Sequence, residues 1–201
     1  MIKNIIFDLG NVLLSFKPEL FLANYTKDKI QIDTFIRNII QSDLWADLDR
    51  GSFSLKYAEK KFIQMYPEEI ELLHIFFTHW KEMLTPIQNN VELLSKLKYK
   101  GYKLYVLSNF IQEAYEFVKE KYNFFSFFDG LVISCEIKLI KPEIEIFHYL
   151  LREYNLIPED SIFIDDIEQF IEQAKRVNIK TIHYLSYTDL PSELKKFNID
   201  I

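Results

Sequence analysis

Polar groups suited to metal and phosphate chemistry occur at four separate places in the chain, at Asp8, Ser108-Asn109, Lys141 and Asp165-Asp166. Carboxylates brought together from two strands would form a hard oxygen site of the kind that Mg²⁺ prefers. A hydroxyl, backbone N–H groups and a lysine ammonium suit the oxygens of a phosphoryl group. A carboxylate held beside the metal can act as a nucleophile and form an acyl phosphate. Together the four places predict phosphoryl chemistry, provided that the fold brings them together.

The elements that would position these groups are strands of a parallel sheet. Asp8 follows the apolar run 5–7, which is typical of a buried parallel strand, and precedes a turn at Gly10-Asn11. Further strands are predicted at 102–107, 130–134, 161–164 and 180–184, and helical patterns alternate with them. This alternation predicts an α/β fold with right-handed crossovers, in which the carboxyl ends of the strands share one edge.

A block of helices is predicted between the first strand and the rest of the sheet. Residues 16–85 show no strand signal, and their apolar residues recur at helical spacing. A turn is predicted at 49–52, and Ser54 can cap the helix that follows it. We therefore predict an α/β core domain, residues 1–15 and 86–201, and a helical cap domain, residues 16–85, over the carboxyl edge of the sheet.

The composition restricts the location and the partners of the protein. Hydrophobic residues make up 49% of the 201 residues, which is enough for a substantial core. The formal net charge of -6 argues against nucleic acid or an anionic membrane as the main partner. Cys135 is the single cysteine, and neither a signal peptide nor a membrane-spanning apolar run is recognisable. We expect a cytoplasmic protein that acts on a small molecule; the sequence leaves its oligomeric state open.

The order and spacing of the polar stretches resemble the four motifs of the haloacid dehalogenase-like (HAD) hydrolase superfamily. Phe7–Leu13 resembles its first motif, Val106–Asn109 its second, Ser134 with Lys141-Pro142 its third, and Phe163–Asp166 its fourth. The predicted helical block occupies the position of the superfamily's cap. Within the superfamily, the chain most resembles the group of the α-glucose-1-phosphate phosphatase and the N-terminal phosphatase domain of epoxide hydrolase. The resemblance implies a Rossmann-like parallel sheet with helices on both faces and an inserted helical cap.

The resemblance also implies an activity and a metal site. It implies a Mg²⁺-dependent phosphatase that hydrolyses a small phosphorylated metabolite, with sugar phosphates as one candidate class, through an aspartyl-phosphate intermediate. Asp8 would be the nucleophile and a Mg²⁺ ligand, and Gly10 would contribute its backbone carbonyl to the metal. Asp166 is the preferred direct metal ligand, whereas Asp165 would bind the metal either directly or through another group.

Phosphate binding is implied for the second and third motifs. Ser108 and the backbone of Asn109 would hold the phosphate, and Lys141 would offset the charge on the nucleophile and on the phosphoryl oxygens. Each group also has a plainer structural alternative. Ser108-Asn109 could cap the helix that follows them, and Asp165-Asp166 could likewise cap the helix that follows the predicted strand 161–164. Lys141 could be a solvated loop residue.

The chain departs from the phosphatase pattern at three positions. Gly10 stands where a second aspartate usually serves as general acid and base, Lys138 stands where glycine is frequent, and Phe170 stands where asparagine is frequent. Without an acid at Gly10, and unless a cap residue such as Asp49 substitutes, we expect a preference for good leaving groups. Aryl, acyl and anomeric phosphates would then rank above terminal sugar phosphates.

Two other functions fit the same fold. One is a 2-haloacid dehalogenase, which uses the same nucleophile on carbon and needs no metal; the pair Asp165-Asp166 favours a metal and therefore phosphate. The other is a catalytically degenerate binding protein, which only the absence of an acid at Gly10 supports. Arg50, at the predicted cap turn, is expected to be exposed, with contact to the substrate as the alternative.

Overall fold

A five-stranded parallel sheet lies at the centre of the computed structural model, which describes all residues 1–201. The spatial order of its strands is β5-β4-β1-β6-β7, and all neighbours run parallel. A separate pair, β2 and β3, is antiparallel. The strands are β1 (Asn4–Phe7), β2 (Leu14–Ser15), β3 (Thr85–Pro86), β4 (Lys103–Ser108), β5 (Gly130–Ile133), β6 (Ser161–Asp165) and β7 (Lys180–His183). The predicted α/β fold with a parallel sheet is confirmed.

Only helices and their turns lie between β2 and β3. The segment contains α1 (Pro18–Leu22), α2 (Lys29–Phe35) with a π-helical continuation (Ile36–Ile40), α3 (Asp43–Asp49), α4 (Leu55–Met65) and α5 (Ile70–His79). Pairing of Ser15 with Thr85 brings the two ends of this helical segment together. Phe76 packs against Phe21, Phe35, Trp45 and Phe77, so aromatic rings form the centre of the segment. Its status as a separate cap domain stays a prediction.

The remaining helices cover both faces of the sheet. They are α6 (Gln88–Tyr99), α7 (Gln112–Lys121), α8 (Ser134–Ile137), α9 (Ile144–Glu153), α10 (Glu168–Arg176) and α11 (Leu190–Lys195). Alternate residues of β1 point to opposite faces: Ile5 and Phe7 belong to one buried cluster, whereas Ile6 packs with α9 and α10 in another. None of the helices combines the length and the apolar character needed to span a membrane.

Helix α9 begins two residues after Pro142. Its first residue is Ile144, and its N-cap residue, Glu143, lies outside the helical region with φ of −59° and ψ of 132°. The backbone N–H and carbonyl of Lys141 are both hydrogen-bonded to the Asn109 side chain. These bonds, together with the hydrogen bonds of the Glu143 carboxylate, hold residues 141–143 out of the helix.

The strand register places the first and fourth motifs next to each other. Phe7 is paired with Ile164, so Asp8 and Asp165 follow side by side at the carboxyl ends of β1 and β6. Phe7 is also paired with Val106, which puts the end of β4 on the other side of Asp8. Apolar strands thus deliver three polar stretches to the same edge.

Candidate active site

The ammonium group of Lys141 is the centre of the site. The side chain is buried, and its Nζ donates to Asp8 Oδ1 at 2.7 Å and to Asp165 Oδ2 at 2.5 Å. Burial by itself would lower the Lys141 pKa, but the charges of Asp165 and Asp8 and their hydrogen bonds outweigh it and raise the pKa. Lys141 is therefore a charged, fixed group, and the alternative of a solvated loop lysine is wrong.

The side chain of Asn109 holds Lys141 in place. Asn109 Nδ2 donates to the Lys141 carbonyl at 2.9 Å, and Asn109 Oδ1 accepts from the Lys141 N–H at 2.8 Å. The helix-capping alternative for Ser108-Asn109 is wrong, because the N-cap of α7 is Ile111 and no side chain caps that helix. The Asn109 amide is thus a positioning group, a role that the sequence analysis missed.

Three carboxylates converge beside this ammonium group. One oxygen each of Asp8, Asp165 and Asp166 lies within 4.8 Å of the others. Burial, and after it the charge of Asp8, raises the pKa of Asp166 to about 6. Three acidic groups thus face one ammonium, and the excess of hard oxygen donors suits a divalent cation such as Mg²⁺.

The two aspartates at the end of β6 have different surroundings. Asp165 is fully buried, and besides Lys141 it accepts from the Ile167 N–H at 2.8 Å, just before α10. Asp166 faces the cavity described below and accepts from Asn11 Nδ2 at 3.1 Å. Asp166 is thus open to a ligand, whereas Asp165 is occupied in fixing Lys141 and the start of α10.

The turn after Asp8 is stabilised by Asn11. Asn11 has a left-handed backbone with φ of 52°, and its Oδ1 accepts from the Phe16 N–H at 3.0 Å while its Nδ2 reaches Asp166. Gly10 lies on the cavity wall beside Asp8. Asn11 is a second positioning residue that the sequence analysis missed; its place between two motif residues was the available signal.

Ser108 lies at the end of β4 with its Oγ fully buried and without a hydrogen-bond partner. It does not reach the cavity wall, whereas Asn109 does. A buried hydroxyl without a partner is unfavourable. Because Ser108 lies off the cavity wall, its contact with a phosphate oxygen stays a prediction. By contrast, the Ser134 Oγ of the third motif accepts from the Phe110 N–H at 2.9 Å and donates to the Asp49 carbonyl at 2.5 Å.

A cavity of about 730 Å³ separates the helical segment from the carboxyl edge of the sheet. Its floor contains the motif residues Asp8, Gly10, Asn11, Asn109, Lys141 and Asp166. The helical segment forms the roof, and Asp49, at the end of α3, faces into the cavity from there. Burial, followed by the charge of Asp8, raises the Asp49 pKa to about 7.

Arg50 joins the helical segment to the core. Its guanidinium forms a bidentate ion pair with Glu143, at 2.6 and 2.9 Å, and donates to the Lys138 carbonyl at 3.3 Å. Lys138 Nζ donates to the Gly51 carbonyl at 2.5 Å. The Arg50 side chain is partly exposed, at 28%, and it does not line the cavity. Its charge is used between the helical segment and the core.

Lys138 and Phe170, which depart from the phosphatase pattern, both have a structural role. Lys138 has a left-handed backbone with φ of 62°, a conformation that glycine adopts freely, and it uses its side chain to reach Gly51. The Phe170 ring lies 4.9 Å from Lys141 Nζ and covers this ammonium.

Comparisons with known proteins agree with this arrangement. The family described as haloacid dehalogenase-like hydrolase matches residues 5–184. A D-ribitol-5-phosphate phosphatase from Bacteroides thetaiotaomicron is 26% identical, with 96% of this chain and 97% of the relative covered. A glyceraldehyde 3-phosphate phosphatase from Methanocaldococcus jannaschii is also 26% identical, with 96% and 90% covered.

A solved structure shows the same fold. The HAD family enzyme from Bacteroides thetaiotaomicron, in complex with magnesium and inorganic phosphate, superposes with a TM-score of 0.76 at 23% identity, covering 96% of this chain and 99% of that one. The family match spans most of the chain, and the four motifs converge at one sheet edge as the resemblance implies. This chain belongs to the haloacid dehalogenase-like hydrolase family.

Proposed function

We propose that this protein is a Mg²⁺-dependent phosphatase that hydrolyses a small phosphorylated metabolite through an aspartyl-phosphate intermediate on Asp8. The observation that carries the proposal is the convergence of three carboxylates on one buried ammonium, at the floor of a cavity. The names of the relatives, which are phosphatases of a polyol phosphate and of a triose phosphate, support a small phosphorylated substrate.

In this reaction Asp8 attacks phosphorus. Lys141 holds Asp8 Oδ1 and leaves Oδ2 on the side of Gly10, toward the cavity. The Lys141 ammonium stabilises negative charge on the transferring group. The Asn109 backbone would hold its oxygens, and Ser108, which lies off the cavity wall, would join it only if a bound phosphate reached its hydroxyl.

Asp8, Asp166 and the Gly10 carbonyl would hold Mg²⁺, and Asp165 acts through Lys141. The oxygen-only donor set fits this ion. When bound, Mg²⁺ neutralises the carboxylates and the phosphoryl oxygens. We also propose a cytoplasmic location, which the buried, unpaired Cys135 supports and cell fractionation tests.

The proposal is tested by phosphate release from a panel of phosphorylated metabolites with Mg²⁺ and with EDTA. Asp8→Asn should lose essentially all turnover, because an amide is a poor nucleophile, whereas Asp33→Asn, an exposed change on α2, should retain it. Near wild-type activity of Asp8→Asn would contradict the mechanism. Activity that survives EDTA, together with halide release from 2-chloropropionate, would favour the dehalogenase alternative.

A further inference from the structure

The proposed reaction needs a proton that the first motif cannot supply. As the bond from phosphorus to the leaving oxygen breaks, negative charge builds on that oxygen. A positioned acid typically contributes about 10²- to 10⁴-fold to such a step. Gly10 has no side chain, and its neighbour Asn11 is not an acid and is already bonded to Asp166. A phosphatase with this site and an ordinary alcohol leaving group requires an acid from elsewhere.

The cavity wall offers few candidates for this acid. Its ionisable side chains are those of Asp8, Lys17, Glu19, Asp49, Lys141, Asp166 and Tyr184. Asp8 is the nucleophile, Asp166 belongs to the proposed metal site, and Lys141 is the buried ammonium. Lys17 and Glu19 are exposed. Asp49 and Tyr184 remain, and only a carboxylate can also serve as a good base for the water that attacks in the second step.

The turn 49–51 is held to the core at three points, one at each of its residues. Ser134 Oγ donates to the Asp49 carbonyl, Arg50 pairs with Glu143, and Lys138 donates to Gly51. Ser134, Lys138 and Glu143 all lie in the segment 134–143, which also carries Lys141. The helical segment therefore presents Asp49 at a defined position relative to the ammonium that binds the nucleophile, as a positioned acid requires.

We infer that Asp49 is the general acid and base of this enzyme, in the place that Gly10 leaves without a side chain; the inference rests on the proposed phosphatase function. Protonated Asp49 donates its proton to the ester oxygen while Asp8 forms its bond to phosphorus and the alcohol leaves. The Asp49 carboxylate then takes a proton from the water that attacks the acyl phosphate, which releases inorganic phosphate and regenerates Asp8. The raised Asp49 pKa supplies the protonated form near neutral pH.

The test is kcat/KM across phosphate monoesters of graded leaving-group pKa, since this constant reports the steps through departure of the alcohol. In Asp49→Asn, primary alkyl phosphates should lose about 10²- to 10⁴-fold, whereas dinitrophenyl phosphate should lose less than about tenfold. Asp33→Asn, an exposed change on α2, is the control and should follow the wild type. Tyr184→Phe tests the other candidate acid, and it should show no selective loss for the alkyl esters. Equal losses for all esters, or a selective loss in Tyr184→Phe instead, would overturn the inference.

Rescue distinguishes a missing acid from a damaged cap. Gly10 has no left-handed φ, and an added Cβ there would meet only Asp8 Oδ2, at an ordinary 3.5 Å. In the double variant Gly10→Asp/Asp49→Asn, hydrolysis of alkyl phosphates should recover at least tenfold over Asp49→Asn. No recovery would count against Asp49 as the acid. A wild type without phosphatase activity on any ester would instead contradict the proposed function.

The walls of the cavity away from the motif residues are mostly apolar. In the roof, Asp49 is the single polar side chain that is not exposed, and the others, Lys17, Glu19 and Gln41, are exposed. Apart from Asp49, the covered part of the roof consists of Phe16, Pro18, Ile36, Ile40, Trp45, Trp80 and Leu84. Apart from the indole N–H groups of Trp45 and Trp80, these side chains offer no hydrogen-bond partner to the hydroxyl groups of a bound polyol, which makes burial of a polyol unfavourable.

From these walls we infer that the organic part of the substrate is predominantly apolar or aromatic, within the proposed phosphatase function. The test compares kcat/KM for 2-phenylethyl phosphate with kcat/KM for ribitol 5-phosphate and glycerol 3-phosphate. All three are primary alkyl esters, so their leaving groups are similar. We expect kcat/KM to be at least tenfold higher for the phenylethyl ester, and Ile40→Asn to reduce this ratio. An equal or higher value for ribitol 5-phosphate would refute this preference, and no hydrolysis of any ester would contradict the proposed function itself.

Discussion

Gly51 lies so close to the core that adding one methyl group there tests whether the position of the turn 49–51 controls the reaction. Gly51 has φ of +71°, and an added Cβ would lie 2.6 Å from Lys138 Nζ and 2.7 Å from the Cys135 carbonyl oxygen. The lysine can move, but the backbone oxygen cannot, so Gly51→Ala should push the turn away from the core. Gly101 is a matched control, because its φ is +89° and an added Cβ would meet nothing within 4 Å.

Both alanine variants share one cost and differ in another. A left-handed residue with a Cβ costs about 1–2 kcal/mol, so each variant should lose that much stability, or about 2–8 °C in Tm. Only Gly51→Ala also displaces the neighbouring Asp49. Because a misplacement of about 1 Å can cost about 10²-fold, we expect its kcat/KM on primary alkyl phosphates to fall about 10- to 100-fold. Gly101→Ala should stay within about twofold of the wild type, because its methyl group meets no neighbour.

The assays are thermal unfolding and steady-state phosphate release on the three purified proteins. If Gly51→Ala keeps the kcat/KM of the wild type, the contact between the turn and the core does not control the reaction. A loss of activity in Gly101→Ala as large as in Gly51→Ala would show that the effect comes from stability rather than from position.

Three further predictions concern stability and the metal. Lys141→Met should abolish turnover and lower the free energy of unfolding without Mg²⁺ by about 3–5 kcal/mol, since three acidic groups lose their ammonium; an unchanged denaturation midpoint would contradict this. Mg²⁺ should raise the Tm of the wild type by mass action and raise that of Asp8→Asn less; equal shifts would argue against Asp8 as a ligand. Burial alone would raise the Asp129 pKa, but hydrogen bonds from two lysines and a backbone N–H lower it. The pKa of Asp129 is therefore lower in the folded state than in the unfolded state. The wild type should be more stable than Asp129→Asn at pH 7, and this difference should disappear as the pH falls below about 4. A difference that persists at pH 2 would contradict the prediction.

Local sequence patterns determined most of the fold. Apolar runs such as Ile5–Phe7 and Ser161–Ile164 are buried strands, and helical spacing marked the segment between Phe16 and Thr85. These predictions succeeded because strand and helix periodicity depend on neighbours along the chain. The convergence of Asp8, Lys141 and Asp165-Asp166 was also predictable, since parallel strands share a carboxyl edge.

The tertiary structure alone decided what each polar group contacts. No pattern in the sequence indicates that the Asn109 amide brackets Lys141, that Arg50 pairs with Glu143 across 93 positions, or that Ser134 holds the backbone of Asp49. These contacts join residues that are distant along the chain, and they depend on how the helical segment packs on the core. Periodicity describes which face of an element is buried, but only the packing of whole elements determines which side chains meet.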